Sequence, residues 1–193
     1  MKLSAVAVLL SLTGLGANAS TELVANGSFE TGTFSGWTKS GNPSLSDVIA
    51  NTVTSNHTYV WRSGATGSPA FISQDIATLA GGHYDLSFDL FNSATSATPD
   101  AVSFSASFGG TTVFSTTNTS YNWVRFTFTD LVASSGLTAL MFGARNDPSF
   151  YRLDNISVVA SSPVTAVPEP ETYALMLGAL GILAMAARRQ RKV

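Results

Sequence analysis

Two short stretches of this 193-residue sequence place aromatic rings beside polar or charged groups, a combination suited to sugar recognition. Sugars present C–H faces, which stack on aromatic rings, and hydroxyl groups, which hydrogen-bond to amides, carboxylates and guanidinium groups. One stretch lies on an expected strand and the other near the end of a later strand. The candidate binding residues are Tyr59, Trp61 and Arg62 in the first stretch, and Arg145, Asn146, Phe150 and Tyr151 in the second.

Strand geometry leaves two interpretations of the first stretch open. In a strand, Tyr59 and Trp61 point to one face while Val60 and Arg62 point to the other. The two rings form either an exposed stacking platform or part of the core. Trp123, by contrast, is expected to be structural.

Asp154 is the most informative charged residue of the sequence. In a regular strand it shares a face with Ile156 and Val158, so its carboxylate points towards the core. A buried carboxylate needs compensation. The alternatives are a metal ion, backbone N–H donors at the sheet end, or an ion pair with Arg152 or Arg145.

The composition offers little support for catalysis. The absence of cysteine excludes thiol chemistry and thiolate metal sites. Two histidines are too few for a histidine-rich zinc site, and no nucleophile-elbow motif precedes a helix. The acidic residues are scattered singly rather than paired as in glycoside hydrolases. We therefore predict a protein that is not an enzyme.

The charge of the central region argues against nucleic acid as a partner. Residues 20–160 contain five basic and ten acidic side chains, a net charge of about −5. Nucleic-acid binding requires a basic surface to neutralise phosphates. Most of the remaining positive charge lies at the end of the chain.

Alternating polarity predicts β-strands throughout residues 20–160. In residues 82–90, apolar side chains occupy every second position. Turn-forming Gly, Pro, Ser and Asn clusters separate such stretches, and no helical period is evident. Strands are expected at 58–62, 70–76, 82–90, 101–108, 111–115, 123–128 and 139–145. Several antiparallel strands, each with one apolar face, predict an all-β, two-sheet sandwich.

The two ends of the sequence have the composition of targeting segments. Residues 1–19 contain a basic Lys2, an apolar stretch and a small-residue Ala17-Asn18-Ala19 cleavage site, which predicts a secretory signal peptide. Residues 161–167 predict a flexible linker. The apolar segment 173–187 reaches roughly 22 Å as a helix, against ~30 Å for the hydrocarbon core, and predicts a short single membrane helix.

The residues around that helix carry a resemblance to a known family. Pro168, Glu169 and Pro170 precede it, and the basic segment 188–192 follows it, placing the C-terminus in the cytoplasm by the positive-inside rule. This three-part tail, residues 168–193, resembles a PEP-CTERM sorting signal. The resemblance implies processing by an exosortase, transient anchoring in the inner membrane and release to the cell surface or extracellular matrix. By position, residues 168–170 are the recognition motif, and Arg188 and Arg189 the stop signal.

The central region resembles the galactose-binding-like jelly rolls, the fold of many carbohydrate-binding modules. The resemblance rests on an expected first strand at 23–32, the Gln74 strand followed by Gly82 and Tyr84, and a last strand at 151–158. It implies a jelly-roll domain over residues 20–160 that binds extracellular polysaccharide. A structural matrix protein with no specific ligand is the alternative.

The same resemblance implies a structural calcium ion. In the family, an acidic residue after the first-strand phenylalanine and an aspartate on the last strand commonly help to hold it. Glu30 and Asp154 occupy these positions. Both are hard oxygen ligands, but two carboxylates need further oxygens to reach the six to eight that calcium takes.

Overall fold

The computed structural model describes residues 20–51 and 58–161, which form a sandwich of two antiparallel five-stranded sheets. The first sheet has the strand order β1-β4-β9-β6-β7, and the second has the order β2-β3-β10-β5-β8. The predicted all-β, two-sheet sandwich is confirmed. The strands are β1 (Thr38–Gly41), β2 (Ser46–Ala50), β3 (Tyr59–Ser63), β4 (Ala70–Ala77), β5 (His83–Asn92), β6 (Val102–Phe108), β7 (Thr111–Thr117), β8 (Tyr121–Val132), β9 (Leu137–Asn146) and β10 (Tyr151–Ala160).

Alternation along each inner strand decides which face is buried. In β5, every second residue from Tyr84 to Asn92 is buried, and the residues between them are partly exposed. Strands β4 and β9 repeat this pattern for most of their length. The inward faces of the two sheets therefore form one core, whereas the outward faces contact solvent.

Phe88 lies at the centre of that core and joins the two sheets. Its side chain is fully buried, and its ring centroid lies 5.3–6.0 Å from those of five other phenylalanines. Aromatic pairs in this range contribute about 0.5–1.5 kcal/mol beyond the burial of their area. The contacting rings are Phe126 and Phe128 of the second sheet and Phe104, Phe114 and Phe142 of the first.

The predicted first strand at 23–32 is wrong. Apart from one bridge between Glu22 and Val159, this segment consists of turns and irregular backbone. Asn26 and Phe29 have positive φ angles of 51° and 54°, which are incompatible with a regular strand. Successive turns let the Phe29 ring reach the core, where it is fully buried.

Gln74 fixes this N-terminal segment against the sandwich. Its Oε1 accepts a hydrogen bond from the Ala25 backbone at 2.7 Å, and its Nε2 donates to the carbonyls of Ala25 and Gly36 at 3.0 and 2.8 Å. Gly27 packs against the other sheet, where a Cβ would lie 2.0 Å from the Ile156 carbonyl oxygen. A side chain at position 27 would therefore displace the segment.

A bulge in β10 corrects the interpretation of Asp154. Asp154 opposes Asp89 and Ser157 opposes Ser87, so β10 has one extra residue between these pairs. Asn155, with a φ of 50°, lies in the bulge. The strand is not regular, and Asp154 lies on the outward side with Asp89 rather than on the inward side with Val158. Its side chain is nonetheless buried, with 1% exposed.

The predicted signal peptide, most of the linker and the sorting tail with its membrane helix lie outside the described residues. The compact unit that contains the sandwich ends at Ser161. Within residues 20–51 and 58–161, we find no helix of the length and apolarity needed to span a bilayer.

We expect Phe88→Ala to lower the free energy of unfolding by about 3–5 kcal/mol, because the cavity removes contacts from both sheets at once. Urea denaturation of the purified chain measures this change. Val132→Ala is a suitable control because Val132 is 57% exposed, and we expect it to stay within about 0.5 kcal/mol of the parent. Similar losses for both variants would contradict the central role of Phe88.

Candidate functional site

The first predicted sugar-binding stretch lies in the core. Trp61 is 1% exposed, and its Nε1 donates to Ser46 Oγ at 2.8 Å. Tyr59 is partly buried and packs against the same core. The inward orientation is therefore the correct one of the two alternatives, and the Tyr59–Trp61 face offers no exposed platform. Arg62, by strand alternation, points outward.

The second predicted stretch is also largely occupied by structural contacts. Tyr151 is 1% exposed, and Asn146 is fully buried with its Nδ2 donating to Asn92 Oδ1 at 2.9 Å. Arg145 forms a two-bond pair with Asp147, at 2.8 and 2.7 Å, which raises the pKa of the arginine. The structure does not bring these side chains together as an exposed site.

The outward face of the second sheet contains a different set of side chains suited to ligand binding. Strand pairing aligns Asp47 with Arg62, Arg62 with Arg152, and Arg152 with Phe91. The ring centroid of Phe91 lies 5.6 Å from that of Trp123 on β8. These five residues form a line across all five strands, which we call the cross-strand row. At normal strand spacing, the row is about 19 Å long.

The Arg62 end of the row is an ion pair held beneath an aromatic ring. Arg62 Nε and Nη2 donate to the two carboxylate oxygens of Asp47 at 2.9 and 2.6 Å, and this pairing raises the pKa of Arg62. The guanidinium carbon lies 4.5 Å from the ring centroid of Phe150. Cation–π contacts of this kind contribute about 0.5–1 kcal/mol at exposed sites. The Arg62 head group is thus fixed from two sides.

Arg152 occupies the middle of the row, and none of the described acidic side chains pairs with it. Its guanidinium carbon lies 5.0 Å from the ring centroid of Phe91. Its Nε–H is buried and has no hydrogen-bond partner within the described parts of the chain. Burial lowers the pKa of Arg152, and the positive charge of Arg62 lowers it further. Arg152 is therefore a partly desolvated cation whose charge is not neutralised by any acidic side chain in residues 20–51 and 58–161.

Trp123, which the sequence predicts to be structural, ends the row on β8. Arg125 lies on the outward face, because it pairs with Asp89 on the outward side of β5. Trp123 is two positions from Arg125 on the same strand and therefore shares that face. The ring is partly exposed rather than part of the buried core. Trp37, in contrast, is 7% exposed and packs against Phe29.

The alternation of the sequence contains the signal for these missed residues. Extending the polar face of β5 from Asp85 and Asp89 places Phe91 outward, where an aromatic residue is unexpected. The same count along β8 places Trp123 with Arg125. What the sequence does not supply is the pairing of strands, so it cannot place Arg62, Arg152, Phe91 and Trp123 in one line.

A shallow groove of about 440 Å³ lies beside the row, between the N-terminal segment and β10. Arg125, which donates to Ser87 Oγ at 2.7 Å and Asp89 Oδ1 at 3.2 Å, is among its lining residues. Ser28 and Ser157 add hydroxyl groups. The groove extends the polar part of the outward face.

The two predicted calcium ligands occupy different surroundings. Glu30 is exposed, and its Oε1 accepts a hydrogen bond from the Tyr59 backbone at 3.2 Å. Asp154 Oδ1 accepts one from the Asn155 backbone at 2.7 Å. Among the described residues, no three His, Cys, Asp or Glu side chains converge on a possible metal position. A calcium site would therefore need backbone carbonyl oxygens.

The end of the chain matches a known family model. Residues 166–192 match the PEP-CTERM protein-sorting motif. The chain carries this sorting signal. Such a motif implies exosortase-dependent export, as the three-part tail predicts.

The sandwich is similar to carbohydrate-binding modules of known structure. The TmCBM61 module, solved with β-1,4-galactotriose, superposes with a TM-score of 0.61 at 19% identity, covering 74% of this chain and all of the module. The CBM22-1 xylan-binding domain of Paenibacillus barcinonensis Xyn10C gives a TM-score of 0.53 at 20% identity, covering 77% and 100%. These similarities confirm the jelly-roll fold.

The same fold also occurs in a catalytic protein. The enzymatically active domain of tailspike protein 4 from bacteriophage CBA120 matches 72% of this chain at 16% identity and a TM-score of 0.53, but only 21% of its own length is covered. No protein of curated function matches the sequence. The fold alone therefore does not determine a function, which depends on the residues of the site.

The burial of Tyr151 has a measurable consequence at alkaline pH. Burial, with a smaller effect of Tyr121, raises the pKa of Tyr151 above the value of about 10 expected in the unfolded chain. The contribution of the neutral Tyr151 side chain to the free energy of unfolding is complete below about pH 10 and is lost as the pH rises further. We expect the Tyr151→Phe variant to lose less thermal stability than the parent chain when the pH rises from roughly 9 to 11.5. Parallel losses in both would contradict the burial of this hydroxyl.

Proposed function

We propose that the domain is a non-catalytic module that binds extracellular polysaccharide through the cross-strand row. The observation that supports this proposal is the alignment of Phe91 and Trp123 with Arg62 and Arg152 on one open sheet face. The rings offer apolar surface to sugar C–H groups, and the guanidinium groups offer donors to sugar oxygens. A row of about 19 Å suits a chain of sugars better than a single one.

The outward face of the first sheet is chemically different, which favours the second sheet as the site. Its strand residues include the serines Ser103, Ser105 and Ser107, and Phe71 is the one aromatic residue among them. The Phe71 ring fills the space above Gly143, where a Cβ would lie 2.5 Å from Cε1. Phe71 is thus a packing residue and provides an internal control.

Sorting and binding together give a coherent role. The tail directs the exported chain to the cell envelope, and release there would place the module on the cell surface or in the extracellular matrix. The producer's own exopolysaccharide is the first ligand to consider. A matrix protein with no specific ligand remains the competing function, and the binding experiment below separates the two.

We expect the double variant Phe91→Ala, Trp123→Ala to weaken polysaccharide binding by at least about tenfold, since loss of two stacking contacts amounts to about 1.4 kcal/mol or more. Affinity electrophoresis or calorimetry of the purified full-length chain with the producer's exopolysaccharide measures this change.

Phe71→Ala is the matched control, because it removes a ring from the opposite face of the sandwich. We expect it to bind like the parent, with thermal melts confirming that each variant is folded. Loss of binding in Phe71→Ala alone would move the site to the first sheet. Absence of binding in the parent would favour the matrix protein without a ligand.

We further propose a structural calcium ion held by Glu30 and Asp154 with backbone carbonyl oxygens. The support is the donor chemistry, because both side chains are carboxylates and calcium prefers oxygen ligands. Such an ion would tie the N-terminal segment to β10.

We expect calcium at a hundredfold excess over its Kd to stabilise the chain by about 2.7 kcal/mol, which raises Tm by several degrees. Differential scanning fluorimetry with calcium and with a chelator measures the shift. Glu30→Gln should reduce the shift without unfolding the chain, because Glu30 is exposed. Identical Tm values in calcium and chelator would exclude the ion.

A further inference from the structure

The cross-strand row holds two like charges side by side. Arg62 and Arg152 are directly opposed on neighbouring strands. Like charges in this position destabilise a sheet. Arg62 is neutralised by its two bonds to Asp47, whereas no acid among the described residues pairs with Arg152. The row thus has an excess positive charge centred on Arg152, although the exported domain as a whole is acidic.

The side chain of Arg152 is partly exposed and forms no hydrogen bond or ion pair with the other described residues. Phe91 contacts the guanidinium through its ring face and accepts no ordinary hydrogen bond. The other basic residue near this face, Arg125, is already bonded to Ser87 and Asp89. Arg152 therefore differs from Arg62, Arg125 and Arg145, each of which has an acidic side chain as a partner.

A planar guanidinium group without an acid partner is suited to a carboxylate ligand. Arginine donates two parallel hydrogen bonds to a carboxylate, and such charge-assisted bonds are about twice as strong as neutral ones. Partial burial strengthens the attraction because less water competes for the charge. The aromatic rings beside it provide the stacking surface that a sugar ring requires.

We propose that the row selects acidic polysaccharides, with the carboxylate of a uronic acid residue bound by Arg152 and a neighbouring sugar ring stacked on Phe91 and Trp123. This inference rests on the proposed function, since it names the ligand class of the same site. It also explains why the sheet places two arginines in register: a bound carboxylate offsets their repulsion.

Polygalacturonate and its fully methyl-esterified form test the inference, because the two polymers share a backbone and differ in charge. We expect the full-length chain to bind the acid about tenfold more tightly than the ester, as one charge-assisted contact supplies at least about 1.4 kcal/mol. Arg152→Gln should reduce this ratio to about one, because it weakens binding of the acid much more than binding of the ester. Arg152→Lys should keep part of the preference.

Arg145→Gln is the matched control, because it removes the same charge from an arginine that is paired with Asp147. We expect it to retain the preference for the acid. Unchanged Tm values would confirm that Arg152→Gln is folded, and added salt should weaken binding of the acid more than binding of the ester.

Three results would overturn the inference, and the first of them separates it from the proposed function. Equal affinity for the acid and the ester, with binding of both lost in the Phe91→Ala, Trp123→Ala variant, would support the polysaccharide-binding function but exclude the preference for acidic sugars. Binding of polyglutamate as tightly as polygalacturonate would show that the sugar is not recognised. Absence of binding to either polysaccharide would contradict both.

Discussion

The contact of Phe88 with rings from both sheets is the interaction on which the rest of the structure depends. Its burial fixes the inward face of β5 and thereby orients the strands paired with it, β8 and β10. The sequence has no cysteine, so no disulfide holds the sheets together. The outward faces of the sheets follow from this core, because a side chain that points inward makes its two neighbours along the strand point outward.

Strand register then determines the site. A shift of one residue between β3 and β10 would turn Arg152 away from Arg62, since strand side chains alternate between faces. The bulge at Asn155 adds a second constraint. It reverses the alternation of β10 after Asp154, so that Leu153 and Val158 both point inward although they are five positions apart, an odd number. The row and the groove beside it therefore share a face.

The sequence allowed the fold to be predicted further than the site. The alternation of polar and apolar residues in 82–90 and 139–145 is a local pattern that the sequence shows directly. It therefore predicts these two strands. The sequence misassigns the segment 23–32 because Phe29, which has a positive φ angle, is of a residue type enriched in strands. Short β1 and β2 have weak alternation and were not predicted.

The candidate site was harder to predict because it depends on pairs that are distant in sequence. Arg62 and Phe150 were identified as candidates from composition, but their contact joins residues far apart in the chain. The sequence leaves both faces open to Trp61, and its inward direction follows from its pairing with Leu153. The residue types indicate sugar recognition, but the pairing of strands decides which of these residues lie together on an exposed face.

A core without cross-links has a consequence for a protein that carries an export signal. After export, such a chain has no disulfide to form or to mispair. Oxidants and reductants outside the cell then have few targets, since thiol exchange is impossible. Among the described residues, the one methionine, Met141, is 38% exposed on the sheet opposite the cross-strand row. Its oxidation would alter a remote surface, leaving the aromatic interior intact.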